Sequence, residues 1–179
     1  MKVTEVLPDV LGPGLKIVIC GSAAGTASAR AGAYYAGPGN RFWWILAHSG
    51  LTARQLAPHE FALLPSFGIG LTDLAKRQSG PDASLGPGAD DPAALAAKIA
   101  RWAPRALAFN GKRAAQAFLD RAVDYGRFEN AASGPNGCPS GGTALFVLPS
   151  TSGAARRYWD EAPWLELAAF VKNGHGEKT

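Results

Sequence analysis

Residues 15–20 read Leu-Lys-Ile-Val-Ile-Cys and run directly into residues 21–25, Gly-Ser-Ala-Ala-Gly. A short apolar run that is rich in β-branched side chains and stops at a glycine indicates a strand buried on both faces. The small residues after it predict a loop whose backbone N–H groups can approach an oxygen-rich ligand closely. In open α/β sheets, ligands bind beyond the carboxyl ends of the strands, so this loop is a candidate site.

Strand and helix patterns alternate along the rest of the chain. Helices are predicted over residues 40–50, 58–64, 93–102, 112–119 and 156–171, and further strands over residues 68–74, 106–109 and 144–148. Segments 79–91 and 130–142 are rich in glycine, proline and serine, which predicts surface loops. The alternation predicts an α/β three-layer sandwich with a central, mainly parallel sheet flanked by helices. Its topology brings the loops at Gly21 and Ser150 together.

Length and composition bound the class of protein. A chain of 179 residues with 47% hydrophobic content fills one core, so we expect a single domain over residues 1–179. Its core covers about residues 10–171, and we expect the polar tail 173–179 to be flexible. No run approaches the roughly 18 apolar residues of a membrane span, and the first residues lack the pattern of a secretion signal. We therefore expect a cytoplasmic protein that does not contact membranes.

The cysteines and histidines give no indication of a metal site. Cys20 lies in the apolar run and Cys138 in a Gly/Pro-rich loop, while His48, His59 and His175 are far apart in sequence. This arrangement has neither metal-ligand spacing nor the pattern of a disulfide framework. We expect no metal and no cofactor.

The net charge of +4 attracts polyanions such as nucleic acids, but many proteins without such a partner carry a similar excess. Several basic residues lie beside Gly-rich loops, where a surface that follows phosphates needs them. These are Arg30, Arg41, Lys76, Arg77, Lys112, Arg113, Arg156 and Arg157. A simply solvated surface explains the same residues equally well.

Four blocks carry a more specific signal. They read ICGSAAG at residues 19–25, YAGPGNRFW at 35–43, GLTDL at 70–74 and VLPSTSG at 147–153. The first block is no Walker phosphate loop, since no Lys-Ser/Thr pair follows, and it lacks the three-glycine dinucleotide fingerprint. Taken together, over residues 10–171, the blocks resemble the mismatch-specific uracil/thymine-DNA glycosylase family, within the uracil-DNA glycosylase superfamily. The segment at 38–43 is the most distinctive.

The resemblance implies a monofunctional DNA glycosylase of base excision repair. Such an enzyme flips uracil out of DNA and hydrolyses its N-glycosidic bond. The implied partner is double-stranded DNA that contains uracil or a mismatch. No cofactor and no obligate protein partner are implied, and a monomer suffices for this chemistry.

The resemblance also implies an unusual catalytic residue. The family's first loop carries Gly-x-Asn-Pro-Gly, whose asparagine positions the attacking water, and Ala23 stands at the matching place. The chain therefore resembles a variant that lacks the usual catalytic asparagine. Asp73 stands where the family has a lysine beside the base pocket, and a carboxylate there can orient and deprotonate a water. We predict that Asp73 is catalytic; the alternative is that Thr72 and Asp73 cap a following turn.

Tyr35 matches the aromatic residue that stacks on the flipped base in the family, although a tyrosine buried in the core is the alternative. Asn40 either contacts the base or ties down its own loop. The predicted base pocket consists of Gly21, Ser22, Ala23, Tyr35, Asn40 and Ser150.

Residues 153–156 match the family's wedge, which fills the hole left by the flipped base. Ala154 replaces the usual leucine, so the wedge is smaller, and Arg156 reaches the orphaned guanine or a phosphate. The alternative for Arg156 is a solvated residue at the start of a helix. The predicted DNA-binding set consists of Ser28, Gly153, Ala154, Ala155 and Arg156.

Two other classes of function remain open from the residues alone. One is a non-catalytic module that binds a DNA lesion or a nucleotide, which the alanine at position 23 favours. The other is a generic doubly wound protein that binds a phosphate ligand. Such a protein has no preference for uracil-containing duplex over normal duplex, whereas a glycosylase does.

Overall fold

The computed structural model describes residues 4–128 and 142–175. Its strands are β1 (Ile17–Ala24), β2 (Ile69–Ser79), β3 (Ala106–Asn110), β4 (Gly126–Phe128) and β5 (Ala144–Leu148). Its α-helices are α1 (Thr26–Ala31), α2 (Phe42–His48), α3 (Pro92–Trp102), α4 (Lys112–Leu119) and α5 (Ala162–Lys172). Short 3₁₀ segments occupy Pro58–Phe67, Asp82–Ser84, Gly153–Tyr158 and Asn173–His175.

The strands form one sheet in the order β2-β1-β3-β5-β4. Neighbouring strands are parallel except for β4, which runs antiparallel to β5 at the edge. The residues of β1 alternate between the two faces: Ile17 and Ile19 pack in the core beneath α2 and α5, and Val18 and Cys20 in the core beneath α3 and α4. The predicted three-layer α/β sandwich is confirmed.

Several element boundaries differ from the sequence prediction. The predicted loop at 21–25 is wrong for its first residues, because β1 continues through Ala24 and pairs Gly21 with Asp73 of β2. The predicted helix at 156–171 is broken into a 3₁₀ segment and α5, since Pro163 is tolerated only in the first turn of a helix. The helix predicted at 58–64 is a 3₁₀ segment. Helix α1 and strand β4 were not predicted at all.

Two predictions concern residues that are largely undescribed. Of the loop predicted at 130–142, residues 130–141 lie outside the described residues. Of the tail predicted at 173–179, residues 173–175 form a 3₁₀ turn and residues 176–179 lie outside them. In segments 4–128 and 142–175, no helix is long and apolar enough to span a bilayer.

Candidate active site

A cleft of about 660 Å³ opens at the carboxyl ends of the parallel strands. The loops after β1 and β5 both line it, so the predicted meeting of these loops is confirmed. The predicted site residues that line it are Ser22, Ala23, Ser28, Tyr35, Asn40, Asp73, Ser150, Gly153, Ala154 and Ala155. Two predicted residues are not among those that line it: Gly21 faces the Asp73 carboxyl, and the Arg156 guanidinium packs over Gly39.

Asp73 lies within β2 on the floor of the cleft. The residue is 6% exposed, its backbone pairs with Gly21 of β1, and no hydrogen bond from a described residue acts on its carboxyl. The alternative that Asp73 caps a turn is therefore wrong, because its backbone is in mid-strand. Burial raises the pKa of its carboxyl to about 7; Lys76 and Lys98 oppose this rise, and Asp9 adds to it.

Gly21 makes room for the Asp73 carboxyl. A Cβ atom at Gly21 would lie 2.7 Å from Asp73 Oδ1 and 3.2 Å from the Tyr35 hydroxyl oxygen. The first distance is shorter than a van der Waals contact allows. The absent side chain at this position therefore lets both polar groups approach the end of β1.

Tyr35 adopts a left-handed backbone conformation with φ of 53° in the turn after α1. Its ring stacks on that of Phe42, with centroids 3.9 Å apart. Its hydroxyl is buried, and the hydroxyl proton has no acceptor among the described residues. Burial raises the pKa of this hydroxyl well above its ordinary value. The charge of Asp73 adds to the rise and hydrogen bonding from Asn110 partly opposes it, so the group is neutral.

A charged cluster lies behind the floor. Asp9 Oδ1 accepts a hydrogen bond from Thr72 Oγ1 at 2.7 Å and is 2.9 Å from Lys76 Nζ, and Asp9 Oδ2 is 2.6 Å from Lys98 Nζ. Lys76 Nζ also donates to the Leu7 carbonyl oxygen at 2.6 Å. Burial opposes ionisation of Asp9, but these hydrogen bonds hold the pKa of its carboxyl below the ordinary value. Lys76, 10% exposed, is thus an internal group and not part of a phosphate-binding surface.

Asn110 connects the end of β3 to the loop after β5. Its amide nitrogen donates to Thr151 Oγ1 at 2.9 Å, and its amide oxygen accepts from the Thr151 backbone N–H at 3.0 Å. The Thr151 carbonyl in turn accepts from the Arg41 backbone N–H at 2.9 Å. Sequence reasoning missed Asn110, although a polar residue that ends an apolar strand just before Gly111 is a recognisable signal.

Asn40 and Ser28 both hold the turn that carries Tyr35. Asn40 Oδ1 accepts from the Phe42 backbone N–H at 3.0 Å, just before α2. Ser28 Oγ accepts from the Ala36 backbone N–H at 3.0 Å, and Ser28 is 5% exposed. For Asn40 the loop-tying hydrogen bond is present, and contact with a base stays a prediction because the residue also lines the cleft. The hydroxyl oxygen of Ser28 likewise serves the loop as an acceptor, and its O–H can still donate to a group in the cleft, such as a DNA phosphate.

The predicted wedge forms one rim of the cleft. Ala154 is exposed in the 3₁₀ segment Gly153–Tyr158, whose glycine packs against the Pro38 carbonyl oxygen. Tyr158, at the end of this segment, lines the cleft and is 65% exposed. Across the cleft, Lys112 Nζ lies 4.5 Å from the ring centroid of Tyr125. The sequence prediction did not include either tyrosine.

The described residues offer few candidates for metal ligands or for a nucleophilic thiol. In the described part of the chain, no three His, Cys, Asp or Glu side chains are grouped closely enough to hold a metal ion. Cys20 is fully buried, and burial raises the pKa of its thiol well above the ordinary value. A protonated, inaccessible thiol is a poor nucleophile.

The fold and cleft define an α/β protein of the open-sheet type, with a cleft at the carboxyl ends of the strands. The model of the uracil DNA glycosylase superfamily matches residues 8–172, and the chain belongs to this superfamily. A similar solved structure is the solution NMR structure of a "putative Uracil DNA glycosylase" from Methanosarcina acetivorans. It is 26% identical with a TM-score of 0.63, and the match covers 93% of this chain and 97% of that chain. The narrower, mismatch-specific assignment stays a prediction.

Proposed function

We propose that the protein is a monofunctional DNA glycosylase of the mismatch-specific type that excises uracil from double-stranded DNA, acting as a monomer and without a cofactor. The observation that carries this proposal is the buried Asp73 carboxyl on the floor of the cleft. Membership of the superfamily and the description of the Methanosarcina acetivorans structure support it. The Arg156 guanidinium beside the cleft supports a DNA ligand.

The proposed reaction begins when a uracil nucleotide leaves the base stack and enters the cleft. The bond between the sugar C1′ and uracil N1 breaks, and its electron pair leaves with the base as an anion. A water oxygen bonds to C1′ while one proton of that water passes to the Asp73 carboxylate. In this scheme Asp73 performs the task that Ala23, which has no polar side-chain atom, cannot perform. Ionised Asp73 also stabilises the positive charge that develops on the sugar.

This mechanism predicts a pH dependence. The carboxyl of Asp73 must be ionised to accept a proton, and its pKa is raised to about 7. The single-turnover rate of uracil release should therefore rise with pH, reach half of its maximum at about pH 7 and level off above it. Measurement of the rate on a uracil-containing duplex across this range checks the prediction. A rate that does not change between mildly acidic and mildly basic pH contradicts it.

The exposed ring of Tyr158 suits a role in handling the DNA. Ala154 is too small to fill the space left by a flipped base, and Tyr158 lies at the end of the same segment, on the wall of the cleft. We expect its ring to stack on a base beside the flipped nucleotide, since such stacking contributes about 1–3 kcal/mol. Ala154 and Tyr158 would then share the wedge function.

Tyr158→Ala should accordingly weaken binding to a uracil-containing duplex by about fivefold or more. Fluorescence anisotropy with a labelled duplex measures this. Leu165→Ala is the matched control, because Leu165 is an exposed apolar residue of α5 that does not line the cleft. Equal affinities of the two variants would rule out a stacking role for Tyr158.

One experiment tests the proposed function as a whole. The protein is incubated with labelled duplexes that each carry one modified base, and alkali then reveals abasic sites. We expect cleavage at uracil, most strongly opposite guanine. A non-catalytic module that binds lesions, the second candidate, would retain the uracil duplex without cleaving it; Ala23 is the residue that favours this candidate. Equal, weak retention of all duplexes would indicate a general phosphate-binding protein.

A further inference from the structure

Two polar groups with little exposure face the same small space. One is the buried Tyr35 hydroxyl, whose proton has no acceptor among the described residues. The other is the carboxyl of Asp73, a residue that is 6% exposed. Their oxygen atoms lie within 3.2 Å and 2.7 Å, respectively, of the position that a Cβ atom would take on Gly21. A buried hydroxyl without a partner is costly, so its presence here needs an explanation.

We infer that Tyr35 is a positioning residue for Asp73. When Asp73 ionises, the Tyr35 hydroxyl donates a hydrogen bond to the carboxylate and so holds the carboxylate towards the substrate. This inference rests on the proposed function, in which Asp73 activates the water. It assigns to the hydroxyl a role that is separate from stacking of the tyrosine ring on a base.

The chemistry of the two groups is complementary. A phenol carries one proton that it can donate, and an ionised carboxylate accepts hydrogen bonds only. The Tyr35 ring cannot easily turn away, because it stacks on Phe42 and its backbone is fixed in the left-handed region. The raised pKa of the Tyr35 hydroxyl keeps it protonated. In this scheme, the Asp73 carboxyl moves towards the hydroxyl on ionisation and forms the bond.

The other groups around Asp73 are already engaged. Lys76 and Lys98 both pair with Asp9 on the far side of the floor. The Tyr34 hydroxyl donates to the Pro8 carbonyl oxygen, and the Cys20 thiol donates to the Gly21 carbonyl oxygen. Asn110 acts on the Tyr35 hydroxyl as a hydrogen-bond donor, and both of its amide atoms also bond to Thr151. Within residues 4–128 and 142–175, the Tyr35 hydroxyl is thus a buried group beside Asp73 whose own proton has no acceptor.

Tyr35→Phe tests the inference, because it removes the hydroxyl and keeps the ring. Loss of a donor to the ionised carboxylate should move the midpoint of the pH–rate profile up by about one pH unit. The variant should then lose about tenfold in rate at mildly acidic pH and recover to within about threefold of the unmodified protein near pH 9. If the hydroxyl only supported the fold, the rate would fall by the same factor at every pH.

A second measurement does not depend on activity. Because the pKa of Asp73 is raised from 3.8 to about 7 in the folded state, the folded protein keeps a proton that the unfolded chain loses. The free energy of unfolding of the unmodified protein, minus that of Asp73→Asn, should therefore be greatest below about pH 4. This difference should decline as the pH rises to about 7. The same difference is then measured by urea unfolding between Tyr35→Phe and the double variant that also carries Asp73→Asn. Its decline should extend about one pH unit higher.

The outcomes separate the two proposals. If the decline ends at the same pH with and without the Tyr35 hydroxyl, the inference is wrong. If the decline moves but Asp73→Asn still releases uracil at the full rate, Tyr35 interacts with Asp73 and the proposed catalytic role of Asp73 is wrong. If both the decline and the pH–rate midpoint move together, both proposals hold.

Discussion

Replacement of Asp73 by asparagine should lower the single-turnover rate of uracil release by at least about a hundredfold. The substitution keeps the size and polarity of the side chain, so the cleft should keep its shape and the packing of its floor. It removes the group that accepts a proton from water, and the negative charge opposite the sugar. Because asparagine does not ionise, the remaining rate should also lose its dependence on pH near 7.

Asp82→Asn is the matched control for this experiment. Asp82 also lines the cleft, but it is exposed in a short 3₁₀ segment and its backbone lies outside the sheet. We expect its rate to stay within about twofold of the unmodified protein, since a solvated carboxylate contributes little to a charge that develops on the floor of the cleft. Equal losses in both variants would mean that general negative charge, and not a positioned base, governs the rate. An unchanged rate in Asp73→Asn would remove Asp73 from the mechanism.

Two of the elements could be predicted with their bounds from local pattern alone. The strand at 144–148 and the helix at 112–119 have the predicted bounds, because a continuous apolar run and glycine-bounded helical spacing are strong local signals. The end of β1 was predicted less well. Its residues 21–24 are small and suit a loop equally, and only pairing with β2 makes them a strand. Pairing of this kind joins distant segments, and local pattern carries no information about it.

The same limit explains what was missed in the site. Asp73 was predicted to be beside the cleft, but its raised pKa follows from burial that depends on contacts across the fold. The chain before β1 runs beside β2, where the Val10 and Leu71 backbones pair and Asp9 meets Lys76. These residues are more than sixty positions apart, as the separation of 69 between Leu7 and Lys76 illustrates. From the sequence, Lys76 was predicted to be one of the basic residues of the surface. In the fold its side chain is largely buried.

Gly21→Ala should cost activity almost as much as Asp73→Asn while leaving the fold intact. The new Cβ atom would lie 2.7 Å from Asp73 Oδ1, so the carboxyl must turn away from its present position. The end of an aspartate side chain can move without displacing the strand, and we therefore expect only a small loss of stability. A displacement of about 1 Å in a catalytic group lowers a rate by about a hundredfold, and single-turnover uracil release should fall accordingly.

Gly25→Ala distinguishes displacement of Asp73 from a general effect of added bulk near the cleft. Gly25 also lines the cleft, only four positions further along, yet a Cβ atom there meets nothing within 4 Å, and its φ of −66° suits alanine. Its rate should stay within about twofold of the unmodified protein. If the two variants lose activity equally, the requirement is for small residues along the whole 21–25 segment. If neither loses activity, the carboxyl does not need the position that Gly21 leaves open, and a water activated by Asp73 is no longer supported.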